Sequence, residues 1–254
     1  MTLKAVCLDL SGVLYQGLRL LPGARDAVLG LRRAGIPLRF VTNTSQRSSR
    51  QILDDLAALQ LPIEPQELFT APRAARQWLE EHQRQPLCLI HPNLKTEFND
   101  RDTSQANAVL IGDAGEGFTY RSLDRAFRLL HEGAPLIAMG VNRYYQLDDG
   151  LHLDAGPFVR ALEYAADCSA IITGKPATTF FEEVTTSLGC QPDEALMVGD
   201  DALSDVQGAL DAGLQAALVK TGKYRDGDEK QINGQYWLES GISQVVARIL
   251  AGEA

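Results

Sequence analysis

Short apolar runs alternate with stretches of helical period along this chain, and that rhythm narrows the fold more than any other feature. Residues 3–10 read as a buried strand interrupted by Asp9. Residues 23–34 follow, with Ala24, Ala27, Val28 and Leu31 on one helical face and Gly35 as the stop. Residues 37–42 form a second strand, and Ile52, Leu53, Leu56 and Leu59 mark a second helix. Further strands are expected at 87–91, 108–111, 135–139, 170–173, 195–198 and 215–220. Helices are expected around Leu123, Ala126, Phe127 and Leu130, over 179–188 and over 204–212. Thr179 and Glu182 have the spacing of a capping box. The polar stretch 92–107 reads as a loop. This order predicts an α/β fold with a mainly parallel sheet.

At 254 residues the chain suits one large domain or two modest ones. It carries 33 acidic and 24 basic residues, a formal net charge of −9, which argues against a broad nucleic-acid surface. A phosphorylated small molecule is not excluded, because local groups capture it. No window approaches the ~18 apolar residues of a membrane span, and the first residues lack a signal-peptide pattern. Cys7, Cys88, Cys168 and Cys190 are widely spaced, as expected of thiols in a reducing compartment. A cytoplasmic protein is therefore expected.

Four polar segments stand just after predicted strands, where ligands bind in open α/β sheets. The first is Asp9-Leu10-Ser11-Gly12-Val13, a carboxylate before a turn that Gly12 permits. The second is Thr42-Asn43-Thr44, a hydroxyl and an amide suited to an anion. The third is Gly174-Lys175-Pro176, one cation in a turn. The fourth is Gly199-Asp200-Asp201, with Asp205 four residues later. Clustered carboxylates repel unless a hard cation offsets them, and oxygen donors suit Mg²⁺. Each piece alone has an ordinary explanation. Asp9 fits a turn, Thr42 and Asn43 fit helix caps, Lys175 a solvated loop, and Asp200, Asp201 and Asp205 helix or surface charges. Together they supply a nucleophile, anion donors, a lysine and an acidic metal site, the inventory of phosphoryl transfer.

In this order and spacing the four segments resemble the motifs of the haloacid dehalogenase superfamily. The residues at 40–46, 126–138, 156–165 and 219–225 look like one subgroup of it. The resemblance implies a Rossmann-like three-layer core with a mainly parallel sheet and an inserted α/β cap. The core would comprise residues 1–71 and 172–254, and the cap 72–171. It implies Asp9 as nucleophile, with Lys175 also counted as catalytic. Ser11, Thr42, Asn43 and Lys175 would contact the substrate. Mg²⁺ would be held by Asp9, the backbone carbonyl of Ser11 and Asp200, with Asp205 and Asp201 supporting the metal from behind these ligands. Residues Asn142, Arg143 and Tyr144 are candidates for substrate contacts from the cap, a surface loop being an equally good reading. Related proteins form dimers through their caps, so a homodimer stays open.

Ser11 departs from the pattern. Most phosphatases of the superfamily carry a second Asp there as general acid and base, help typically worth ~10² to 10⁴ in rate. A serine hydroxyl is a poor proton shuttle. The expected activity is a Mg²⁺-dependent phosphatase acting on a small phosphorylated compound with a good leaving group, through an aspartyl-phosphate. The alternatives are a phospho-ligand binding or regulatory protein with weak residual activity, and a phosphotransferase on the same scaffold.

Overall fold

The computed structural model describes residues 3–61, 63–98, 105–147 and 150–252. The chain divides into two compact units, and each is built around its own parallel sheet. The first unit comprises Met1–Thr42, Ile52–Phe69 and Lys175–Ala254, and the second Asn43–Gln51 and Thr70–Gly174.

The first unit begins with β1 (Ala5–Asp9), a hairpin of β2 (Tyr15–Gln16) and β3 (Arg19–Leu20), then α1 (Ala24–Arg33) and β4 (Leu38–Thr42). Ala24, Ala27, Val28 and Leu31 are buried, the stripe the spacing predicts. Helix α2 (Ser49–Ala58) leads to β5 (Leu68–Thr70). The second unit holds α3 (Ala71–Glu81), β6 (Pro86–Leu89), α4 (Lys95–Phe98), β7 (Ala108–Ile111), α5 (Tyr120–His131) and β8 (Leu136–Ala138). A hairpin of β9 (Tyr144–Leu147) and β10 (Gly150–Leu153), α6 (Gly156–Ala166) and β11 (Ile171–Ile172) complete it. The chain then adds α7 (Thr178–Leu188), β12 (Ala195–Gly199), a π-helical turn over Ala202–Gln207, α8 (Gly208–Asp211), β13 (Gln215–Val219), β14 (Trp237–Glu239) and α9 (Ile242–Leu250).

The sheet of the first unit has the order β14-β13-β12-β1-β4-β5. Its central strand β1 pairs in parallel with β4 on one side and β12 on the other. Strand β1 is buried along its whole length, as both-face coverage demands. Leu38 and Phe40 of β4 join a core with Val28, Leu56 and Val245 from α1, α2 and α9. Arg39, alternating to the opposite face, donates to Ser187 Oγ at the end of α7. The result is the three-layer, Rossmann-like arrangement expected. The four-stranded sheet of the second unit has the order β11-β8-β7-β6. Val109 and Ile111 of β7 face one apolar cluster and Ala108 and Leu110 the other.

Several expectations need correction. Residues 92–98 are not loop: Pro92–Leu94 is a 3₁₀ turn running into α4, because Leu94 and Phe98 fall one turn apart and are both buried. Residues 99–104 of the same stretch lie outside the described residues. The capping box of Thr179 and Glu182 does not form. Helix α7 starts one residue earlier, with Ala177 at its N-cap and no side-chain cap. The strand expected at 170–173 is shorter and pairs with β8, in the sheet of the second unit. The helix expected over 204–212 begins as the π-helical turn. Strands β2, β3, β5, β9, β10 and β14 and helices α3, α6 and α9 join those anticipated. No disulfide joins the four cysteines. No helix among the described residues is long and apolar enough to cross a membrane.

Phe40 is fully buried in the first unit's core. Phe40→Ala should cost about 3–5 kcal/mol of stability, read as a lowered urea midpoint for that unit. A loss below about 1 kcal/mol would contradict the packing described.

Candidate active site

The carboxyl edge of β1 and β12, where the chain's excursions to the two sides of the sheet diverge, is the ligand-binding crevice of an open α/β sheet. Asp9 ends β1 and Asp200 follows β12 directly. Asp205 projects from the π-helical turn, where Val206 N–H reaches back to Asp201 O. The Asp201 carboxylate accepts from Leu203 N–H and Ser204 N–H and so caps that turn. Asp9, Asp200 and Asp205 each present a carboxylate oxygen, and these oxygens lie within 4.8 Å of one another. All three side chains are buried.

Lys175 enters the same cluster and is only 3 % exposed. Its Nζ lies 2.5 Å from Asp9 Oδ1 and 2.6 Å from Asp205 Oδ1. Asp205 Oδ2 accepts from Asp201 N–H at 3.2 Å, so both of its oxygens have protein partners. Asp200 Oδ2 accepts from the Lys223 N–H at 2.6 Å. The Asp200 carboxylate is gripped between Gly12 and Gly222, both with positive φ, and a Cβ on either glycine would collide with it. Thr221 Oγ1 donates to Gly12 O, tying the two glycine turns together.

The electrostatics follow from three buried carboxylates facing one ammonium. Burial pulls the Lys175 ammonium down, but Asp205 and Asp9 overcome this and hold it above its ordinary range. Burial pushes the Asp205 carboxyl up to about 6, with Lys175 opposing and Asp9 and Asp201 adding. Burial, then the charges of Asp9 and Asp205, raise Asp200 well above the usual carboxylate range, against the Lys223 N–H. An all-oxygen, anionic, buried donor set with this surplus of negative charge fits a hard divalent cation such as Mg²⁺.

Of the other predicted residues, Thr42 ends β4 and is buried, in the first unit. Asn43 begins the segment that belongs to the second unit. Ser11 is exposed and forms an isolated bridge with Tyr15. Arg143 and Tyr144 line a cavity of about 570 Å³ within the second unit, with Leu153 and Arg160. The Asn142 carbonyl accepts from Gly156 N–H. Sequence reasoning missed the support that Thr221, Gly222 and Lys223 give to Asp200. The signal was a glycine just after β13, at the same sheet edge as the other four segments.

A family model described as haloacid dehalogenase-like hydrolase matches residues 6–104, and a second, HAD-hydrolase-like, matches 172–241. Human haloacid dehalogenase-like hydrolase domain-containing protein 2 is 49% identical over 231 residues, covering 91% of this chain and 89% of its own. The chain belongs to the haloacid dehalogenase-like hydrolases. Within them it sides with the subgroup that its stretches at 40–46 and 156–165 resemble. The Xenopus laevis phospholysine phosphohistidine inorganic pyrophosphate phosphatase is 43% identical over 234 residues, covering 89% of this chain and 87% of its own. A 4-nitrophenylphosphatase from Thermotoga maritima superposes with a TM-score of 0.88 at 23% identity over 97% of both chains, a likeness of fold.

Asp205 binds its proton more tightly in the folded chain than at its ordinary value of 3.8. Its contribution to stability therefore falls as pH rises from about 4 through about 6. In chelator-treated protein, Asp205→Asn should lose less melting temperature across that window than wild type. Parallel pH profiles for the two proteins would refute the assignment.

Proposed function

We propose that this hydrolase is a phosphatase that hydrolyses a small phosphorylated compound through a phosphoryl group carried on Asp9. The buried cluster of Asp9, Asp200, Asp205 and Lys175 carries this reading, and the name of the Xenopus laevis relative supports it. Lys175 Nζ donates to Asp9 Oδ1 and the Lys223 N–H to Asp200 Oδ2. The two carboxylates would face the reacting group and a cation. Asp9, Asp200 and the Ser11 carbonyl would hold Mg²⁺, which supplies charge neutralisation between the carboxylates and an anionic phosphoryl group. Asp205, with both oxygens engaged, anchors Lys175, and Asp201 holds the turn that carries Asp205.

A carboxylate oxygen of Asp9 forms a bond to phosphorus while the bond to the leaving group breaks. The leaving group departs with the electron pair. Lys175, kept protonated by its two carboxylates, offsets charge on the transferring group, and Thr42 and Asn43 orient it. Water then attacks phosphorus, releases phosphate and returns Asp9 to its carboxylate form, its proton passing to solvent. Ser11 offers no proton to the leaving group. Substrates whose leaving group needs little protonation are favoured: pyrophosphate, aryl phosphates and N-phosphorylated compounds. The same serine motivates a second reading, a phospho-ligand binding protein with slow turnover, and rapid turnover of a trapped phosphoenzyme would exclude it. The protein is read as cytoplasmic.

With Mg²⁺, purified protein should release phosphate from at least one of these three classes, and Asp9→Asn should release none. If no compound is hydrolysed and Asp9→Asn is indistinguishable from wild type, the reading fails. Ser11→Asp should raise kcat on alkyl phosphates by about 10²-fold, within the range of general acid catalysis. An unchanged alkyl-phosphate rate would mean that protonation of the leaving group is not what limits the enzyme.

A further inference from the structure

Asp113 stands two residues beyond β7 and is 4 % exposed, and none of the four motifs involves it. Its polar contacts serve the segment that follows Thr42. Gln46 Nε2 donates to Asp113 Oδ2 at 2.5 Å, and the Asp113 N–H donates to Ser45 Oγ at 3.1 Å. Asp113 Oδ1 accepts from Gly115 N–H at 2.8 Å, a local turn that fixes the direction of the carboxylate. Gly112 permits the close approach: a Cβ there would stand 3.3 Å from Ser45 Cβ and 2.8 Å from Met139 Sδ. The segment is tied down twice more. Asn93 Nδ2 donates to Gln46 O at 3.0 Å, and Ser49 N–H donates to Glu97 Oε1 at 2.8 Å. Asn43, in the same segment, lies against Gly174, where a Cβ would come within 2.6 Å of Asn43 Oδ1. All of these residues belong to the second unit.

We propose that Asp113 is a positioning residue for phosphoryl binding, holding residues 43–46 in the one conformation that presents Asn43. The inference rests on the phosphatase reading and on the role given there to Asn43. A carboxylate suits the task because its two oxygens accept from two different N–H donors at once. An apolar side chain would leave the Gln46 amide and the Gly115 N–H without an acceptor. The segment would then sample other conformations, and orienting it would have to be supplied when the phosphoryl group binds.

The test measures inorganic phosphate binding by calorimetry in the presence of Mg²⁺, together with hydrolysis of 4-nitrophenyl phosphate. Asp113→Ala should weaken phosphate binding and raise KM, each by about tenfold, while half-saturation by Mg²⁺ stays at the wild-type value. Asp113→Asn should recover most of the loss, since its Oδ1 keeps the Gly115 bond and its Nδ2 donates to a flipped Gln46 amide. Gln46→Ala should reproduce the defect, and it carries the test if Asp113→Ala does not fold. The double variant should be no worse than either single one. Wild-type phosphate affinity in both Asp113→Ala and Gln46→Ala overturns the proposal, as does an Asp113→Asn variant no better than Asp113→Ala. A wild type that neither hydrolyses 4-nitrophenyl phosphate nor binds phosphate overturns the phosphatase reading, and the positioning role with it.

Discussion

A single buried ammonium, that of Lys175, is what allows the carboxyl edge of the first sheet to exist in its present form. It bridges Asp9, 166 positions away in sequence, and Asp205. Withdrawing such groups from water costs several kcal/mol for each ion, and a buried bridge rarely returns all of it. The surrounding architecture therefore has to over-determine the cluster. It does so with a central strand buried along its length, a capped π-helical turn and two glycine turns closed around Asp200. Three carboxylates against one ammonium leave the site anionic, a state that burial resists and that a hard cation relieves. The stability carried by the apolar layers is what holds this unfavourable arrangement of charge together.

Where one apolar run makes one buried strand, the sequence was easily read: β7 falls on the residues expected, and the buried face of α1 matches its periodicity. Helix α9 carries an equally regular stripe, Ile242, Val245, Val246 and Ile249, legible by the same rule. Helix α4 was hidden because four residues with one buried aromatic give no measurable period. Strand β11 was visible as an element, but its sheet was not. Partner choice is a long-range matter, and the residues just before Lys175 pair with β8. The site was legible to the extent that it lies at strand ends, as Asp9, Thr42 and Asp200 do. The engagement of Asp205 with Lys175 depends on a π-helical register, and the grip on Asp200 depends on Gly222, far along the chain. The first leaves no local signal, and the sign of the second was a glycine just after β13. Asp113 was invisible for a related reason: its partners lie more than sixty residues upstream.

The placement of β1 has a consequence for how the chain is made. Its two neighbours are β4, which follows closely, and β12, whose Ala195 pairs with Ala5. At roughly 5–20 residues per second, synthesis separates the two by about ten seconds or more. During that interval β1, β4 and β5 can associate, but the side of β1 that receives β12 presents an unsatisfied row of backbone donors and acceptors. That row flanks a strand buried along its whole length. The second unit, made in the meantime, has a sheet of its own. The strand that pairs with the open side of β1 also brings Asp200 to Asp9. Protection of the edge and assembly of the acidic cluster are the same event.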